Sequence, residues 1–287
     1  MEKHPLFANR VAVLATMHHK ETAIAPILEQ ELGIKVTVPQ NFDTDRFGTF
    51  TREVQRAGTQ IEAARRKAET AMSVMGESLG LASEGTFGPH PSSPFIACNR
   101  EIIILVDKTN QIEIIGEAFS TETNYSHRAI KTIAEAQEFA KTVGFPEHAL
   151  VVMSHPSPKH QDEIIKGITT TDALVEAVTL ALKRSENGEV FIETDMRALY
   201  NPTRMKNIAI ATHSLVKKLL NACPNCSFPG FDVMERKKGL PCAYCHSPTR
   251  FTLAAIYKCK KCGFSQEVLF PDGLQEVDPS LCDYCNP

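Results

Sequence analysis

The chain reads as an α/β protein that ends in a metal-stapled tail. Short apolar runs suited to buried strands alternate with segments of helical period as far as Leu220, and no internal repeat or low-complexity linker interrupts them. Four Cys-x-x-Cys pairs then crowd the C-terminal end. The expected architecture is a mixed central sheet flanked by helices over residues 1–220, followed by a small double zinc-ribbon module over 221–287.

The elements follow in order. Arg10 to Ala15 has the apolar content of a buried strand, and it breaks at a polar run starting with Thr16. The helix after it shows Ile24, Ile27, Leu28 and Leu32 on one face and ends at Gly33. Pro26 is expected in its first turn, because an interior proline breaks a helix. Ile34 to Val38 reads as a second strand, and Phe42 to Thr51 as a polar loop. A second helix is expected over Gln60–Met75, with Ile61, Ala64, Ala68 and Met72 inward. Leu79 to Ala82 reads as a short strand running into a turn-rich loop from Ser83 to Pro91. Glu101 to Asp107 is strongly strand-like and pairs with Gln111 to Ala118 as a hairpin. Ser126 is expected to cap a third helix with Ile130, Ile133, Ala140 and Val143 inward. Strands at Ala149–Met153 and Glu189–Glu193 bracket a helix over Thr171–Glu186, and a last helix spans Pro202–Leu220.

Composition narrows the function classes. Of the 287 residues, 43% are apolar and 23% charged, which is ordinary for a globular protein. The net charge is −3, and eight thiolates holding two Zn²⁺ ions make it more negative still. That balance argues against general nucleic-acid binding, which draws its affinity from phosphate neutralisation. It is compatible with a small phosphate pocket. No stretch approaches the roughly 18 apolar residues that cross a bilayer. The opening Met1-Glu-Lys-His-Pro has no apolar signal core behind it. Paired cysteines suit thiolate ligation in a reducing compartment, so a cytoplasmic location is expected.

The cysteine pairs are Cys223/Cys226, Cys242/Cys245, Cys259/Cys262 and Cys282/Cys285. Taken in order they form C-x₂-C-x₁₅-C-x₂-C and C-x₂-C-x₁₉-C-x₂-C, both within zinc-ribbon spacing. Each knuckle supplies two corners of a tetrahedron, and four thiolates leave no open position, so the ions are structural. Sequential pairing is the preferred reading and a crossed arrangement is the alternative. Between Cys223 and Cys285 stand seven basic and seven acidic residues, a neutral tail that favours a protein partner over nucleic acid. His246 reads as a polar neighbour of Cys245, and Cys98 as a buried thiol without a partner base.

Three polar clusters fall where strands end, the place where α/β folds build their sites. The first is Thr16-Met-His18-His19-Lys20-Glu21, where a helix N-terminus and a lysine would attract phosphate. The second gathers Asp43, Asp45, Arg46, Glu62 and the Ser83-Glu84-Gly85-Thr86 run. Glu84 is its best candidate ligand for Mg²⁺, which takes one or two carboxylates plus substrate phosphates. His90, between two prolines, is a candidate acid–base group. The third is Glu193-Thr-Asp195-Met-Arg197 with Asn201-Pro-Thr-Arg204. Ser126-His127-Arg128 could bind an anion. Solvated turns and ion-paired helix caps are the bland alternatives to all of these.

The runs Ala15-Thr-Met-His-His-Lys-Glu, Asp43-Thr-Asp-Arg-Phe-Gly-Thr-Phe, Ala82-Ser-Glu-Gly-Thr-Phe-Gly-Pro-His-Pro and Glu193-Thr-Asp-Met-Arg-Ala resemble an uncharacterised bacterial family of unknown function. So do Asn201-Pro-Thr-Arg-Met and the ending Cys-Asp-Tyr-Cys-Asn-Pro. That resemblance brings no activity. A second one does. Thr16 to Glu21, Glu62-Ala-Ala-Arg-Arg-Lys-Ala, Leu81-Ala-Ser-Glu-Gly and Ser126-His-Arg128 are similar to motifs of the inosine/xanthosine triphosphate pyrophosphatases. His18 stands where those enzymes have Asn, Ser83-Glu84 replaces their paired Asp, and Ser-His-Arg comes early. The resemblance implies that Glu84 and Glu62, with an Asp of the Asp43/Asp45 pair, hold Mg²⁺ while Lys20 and the helix N-terminus take the phosphates. Thr16, His18, His19, Ser83, His90, Ser126, His127, Arg128, Asn201 and Arg204 would line the substrate, with Arg197 neutralising developing charge. The expected function is a Mg²⁺-dependent hydrolase of a nucleotide or other phosphate compound. The alternative is a non-enzymatic adaptor that binds a ligand or a protein partner through the tail.

Overall fold

A computed structural model describes residues 5–48, 54, 58–156, 158 and 160–287, which divide into two compact units, 1–216 and 217–287. The first unit is a mixed α/β body built on two sheets. Strands β1 (Val11–Ala15), β2 (Lys35–Thr37), β3 (Leu79–His90), β4 (Ser93–Asp107) and β5 (Ile112–Ser120) form the larger one in the order β2-β1-β3-β4-β5. β1 is parallel to both β2 and β3, and β3, β4 and β5 are antiparallel. Helix α1 (Glu21–Leu32) joins β1 to β2, and α2 (Gln60–Met75) precedes β3.

Side-chain alternation assigns the two faces of this sheet. Val13, Ala15, Ala82, Ile102 and Ile104 pack on Ala64, Ala68 and Met72 of α2. The intervening row Ser83, Ile103, Gly116 faces the last helix of the body, α5 (Pro202–Leu220). A Cβ on Gly116 would lie 2.3 Å from the Ala211 carbonyl oxygen and 2.3 Å from the Leu215 nitrogen, so only glycine lets α5 come so close. Glu84 therefore projects to the α2 side, and Ser83 and Gly85 to the α5 side.

Four expectations need correction. Pro26 lies inside α1, not in its first turn. Pro26 and Thr22, whose carbonyl would have received the missing N–H, both lie on the exposed face of the helix, while Ile24, Leu28 and Leu32 hold the inner face. The segment from Ser83 to His90 is strand, not loop, because β3 keeps its ladder with β4 out to Pro89↔Ala97. β1 pairs with β3 only over Gly80–Ala82, and Pro89 is tolerated along the edge left open. Ser126 caps no helix. His127–Ile130 is strand β6, paired with the strand Val190–Thr194, and helix α3 (Ile133–Thr142) starts after Thr132, whose hydroxyl accepts from the Glu135 N–H. The strand β8 (Ile164–Ile168) was not anticipated, since Gly167 with φ +70° breaks its alternation. Thr49 to Thr51 of the expected loop lie outside the described residues.

The smaller sheet runs β6-β9-β7-β8, all antiparallel, with β7 at Leu150–Met153 and β9 at Val190–Thr194. Helices α3 and α4 (Thr171–Arg184) cover one face through Phe139, Ala140, Leu174 and Val178 against Ile130, Leu150, Val152 and Ile192. The second unit carries a three-stranded antiparallel meander, β10 (Asp232–Lys238), β11 (Thr252–Lys258) and β12 (Ser265–Leu269). Its core is small, formed by Phe231, Phe228, Tyr257 and Phe264 beside Cys223 and Cys259. A core this small is of the kind that structural metal sites reinforce. No described helix is long and apolar enough to cross a membrane.

Candidate functional site

Eight cysteines of the second unit form two groups of four, each with its sulfurs within 4.8 Å of one another. Contacts such as Cys223 Sγ···Cys262 Sγ at 3.7 Å and Cys226 Sγ···Cys259 Sγ at 3.6 Å fit a tetrahedron. With metal–sulfur bonds of ~2.3 Å its edges are about 3.8 Å, whereas a disulfide would need ~2.05 Å. Each group can hold one structural zinc ion. The pairing is crossed: Cys223, Cys226, Cys259 and Cys262 form one site, and Cys242, Cys245, Cys282 and Cys285 the other. The sequential assignment is thereby overturned, and the meander gives the reason. Cys226 precedes β10 and Cys242 follows it, so the seven-residue strand holds these knuckles roughly 20 Å apart. Antiparallel pairing of Asp232 with Lys258 instead sets the first knuckle beside the one that begins at Cys259.

The body builds its polar centre where β1 ends. β2 lies on one side of β1 and β3 on the other, so the winding direction reverses there, and open α/β sheets leave a crevice at that point. Lys20 stands at the start of α1, and its side chain caps no backbone group. Its ammonium donates instead to the Ser83 carbonyl at 3.2 Å, with only 6% of the residue exposed. On the α2 side Lys67 is ion-paired with Glu84, both buried. On the α5 side Arg204 pairs with Glu101 at 2.7 Å, both fully buried. Asn99 also donates to Glu101 at 3.1 Å, and Asn201 accepts from the Arg204 backbone N–H at 2.9 Å. Gly85 makes room for this pair: a Cβ there would sit 2.3 Å from Glu101 Oε1.

Charges from both faces act on Lys20. Burial, then repulsion from Arg204 and Lys67, push its pKa down to about 7, against the pull of Glu84 and Glu101. His18 is held below its usual value, first by burial, while its bond to Asp45 at 3.3 Å opposes the shift. Asp45 is held low mainly by that same bond. A neutral imidazole donating Nε2–H to a carboxylate satisfies both directions. Asp45 also attracts Lys166 of β8 and Arg197, which carries the centre across to the smaller sheet. There Arg197 forks onto Asp195 at 2.6 Å, and its guanidinium lies 4.7 Å from the Tyr200 ring centre. Ser83 Oγ and Glu101 Oε2 are buried with no hydrogen-bond partner among the described residues. A cleft of about 390 Å³ opens beside this centre, lined by Thr16, His19, Asp43 and Phe42 among others.

Of the residues singled out in the sequence, Thr16, His18, Lys20, Asp45, Ser83, Glu84, Arg197, Asn201 and Arg204 fall in this one neighbourhood, with His19 at the cleft rim. Glu62 does not join them. Its carboxylate accepts from the Thr59 N–H at 2.7 Å in a capping box at the exposed start of α2. His90 lies six residues beyond Glu84 along β3, roughly 20 Å away, edge-on to Phe119. Ser126 bonds Thr194, His127 lies between Tyr125 and Phe191, and Arg128 pairs with Glu138 at 3.4 Å. The sequence reading missed Lys67, Glu101 and Asn99. Lys67 was detectable as a lone charge on the apolar Ala63-Ala64-Ala68-Ala71 face of α2. Glu101 left the weaker signal of an acid opening an apolar strand.

Fold and site together define an α/β body with a buried ionic centre at its strand ends, joined to a double zinc ribbon. The profile of a family described as "Domain of unknown function (DUF6671)" matches residues 67–287, and the chain belongs to that family. No curated protein matches the chain. The resemblance to inosine/xanthosine triphosphate pyrophosphatases gains no support from these comparisons.

Proposed function

We propose that the body binds a phosphate-bearing small molecule at the carboxyl end of β1, beside the middle of β3, and hydrolyses it with Mg²⁺. Lys20 carries the reading. A buried ammonium with one hydrogen bond among the described residues, repelled by two neighbouring cations, costs stability until an anion joins it. The start of α1 adds its N–H groups and dipole, Ser83 Oγ adds a hydroxyl with no partner among the described residues, and the neighbouring cleft gives the ligand room. Glu84, now paired with Lys67, is the residue that would hold Mg²⁺, and the ion would supply charge neutralisation on the phosphate and a more acidic bound water. His18, neutral and backed by Asp45, would accept the proton, and Arg204 and Arg197 would offset developing charge.

The test is a turnover screen of nucleoside triphosphates, pyrophosphate and phosphate monoesters with Mg²⁺, run on wild type and Glu84→Ala. Hydrolysis of one compound class, lost in the variant, supports the reading. No turnover across the panel, or equal rates in the variant, removes the hydrolytic step. The second reading, an adaptor that binds the same ligand without reaction, rests on the same cations and predicts ligand-induced stabilisation without product.

A further inference from the structure

A short helical turn, Asp45–Phe47, follows β2 and holds an arginine at the edge of the polar centre. Arg46 is exposed, and its guanidinium lies 5.3 Å from the Phe42 ring centre and 4.8 Å from that of Phe47. The two rings stack on each other at 6.2 Å. Guanidinium planes rest well on aromatic faces, so the rings fix where the fork stands. Among the described residues no carboxylate pairs with Arg46 and no acceptor takes its side-chain N–H groups. The two acids nearest it in the chain are engaged elsewhere: Asp43 accepts the Asp45 N–H at 2.8 Å, and Asp45 bonds His18 at 3.3 Å.

Water can serve an exposed guanidinium, so the open fork alone decides nothing. Its place does. The Phe47 ring that holds Arg46 also has the Lys67 ammonium 6.0 Å from its centre. Lys67 pairs with Glu84 and repels Lys20. Three cations thus run from Arg46 at the surface, through Lys67, to Lys20 in the interior. Phe42, the other ring beside the guanidinium, lines the cleft. A single phosphate at Lys20 leaves Arg46 without a role. A chain of phosphates uses it, because each added phosphoryl group brings charge that a further cation must offset. An arginine fork suits such a group, whose oxygens accept two parallel N–H bonds. We infer that Arg46 takes a second phosphoryl group of the ligand whose first lies at Lys20, so the substrates are compounds with two or more linked phosphates and not phosphate monoesters. This rests on the phosphate reading of the centre and narrows it.

The experiment is calorimetric titration of the full zinc-loaded chain with orthophosphate and with tripolyphosphate, without added Mg²⁺ so that nothing turns over. Wild type should bind tripolyphosphate more tightly than orthophosphate, by about tenfold or more. Arg46→Met should weaken tripolyphosphate about tenfold and leave orthophosphate affinity as in wild type. Arg46→Lys, which keeps the charge and loses the fork, should fall between the two. Circular dichroism and zinc content should be unchanged in both variants. Lys20→Met should lose both ligands. The inference is overturned if Arg46→Met binds tripolyphosphate as wild type does, or if it weakens both ligands alike, the mark of a long-range charge effect. In either case, orthophosphate binding that needs Lys20 leaves the phosphate reading standing. If wild type binds neither ligand, both readings fall.

Discussion

Replacing Lys20 with methionine removes the buried charge and keeps an unbranched side chain of similar length. In the folded protein the Lys20 pKa lies at about 7, against 10.5 for an unburied lysine. Between those values the unfolded chain holds a proton that the folded chain has released, so stability rises with pH across that window. Below pH 7 both states are protonated and the whole cost is present. At ~1.4 kcal/mol per pKa unit that cost is about 5 kcal/mol. Loss of the bond to the Ser83 carbonyl returns about 1–2 kcal/mol. Lys20→Met should therefore be more stable than wild type by about 3 kcal/mol near neutral pH, an upward Tm shift of roughly 6–12 °C. Calorimetry from pH 6 to 10 on both proteins reads this directly. The difference should shrink as pH rises, and the stabilisation by phosphate compounds that the proposed function predicts for wild type should be absent in the variant. A variant less stable at neutral pH, with a difference that does not change with pH, would refute the reasoning and make Lys20 a structural residue.

Glu101→Gln leaves Arg204 buried without its counter-charge and should cost about 3–5 kcal/mol in denaturant unfolding; an unchanged midpoint would contradict a buried pair. Gly116→Ala forces a methyl against the backbone of α5 and should destabilise by about 1–3 kcal/mol, seen as a lower Tm. Cys226→Ser combined with Cys259→Ser removes two ligands of one crossed site, so metal analysis should find one zinc per chain, whereas sequential pairing would leave none.

Most of the large sheet was legible because its strands are apolar runs and its helices carry plain punctuation. Gly33 stops α1, and α2 occupies the expected Gln60–Met75 span behind the Thr59–Glu62 capping box. The misreadings share a cause: residues chosen for packing or chemistry imitate turn signals. Gly85 looked like a loop and instead clears space for Glu101 and Arg204. Glu62 looked like a metal ligand and instead caps a helix. Thr132 and Glu135 held the true start of α3, but Ser126 offered the same cap chemistry earlier in the chain. The crossed zinc pairing could not be read from spacing, because both pairings satisfy it and only the strand register of β10 and β11 separates them. The polar centre was legible as three clusters. Their joining was not, since the link runs through Lys67 and Glu101, which sit within otherwise apolar faces.

Anomalous diffraction from crystals soaked in tungstate, a phosphate stand-in, tests the proposed anion site at the end of β1 most directly. A peak within hydrogen-bond reach of Lys20 Nζ and Ser83 Oγ, absent in Lys20→Met, is the predicted result. Tungstate found only on surface lysines, with Lys20 still bonded to the Ser83 carbonyl alone, would contradict it.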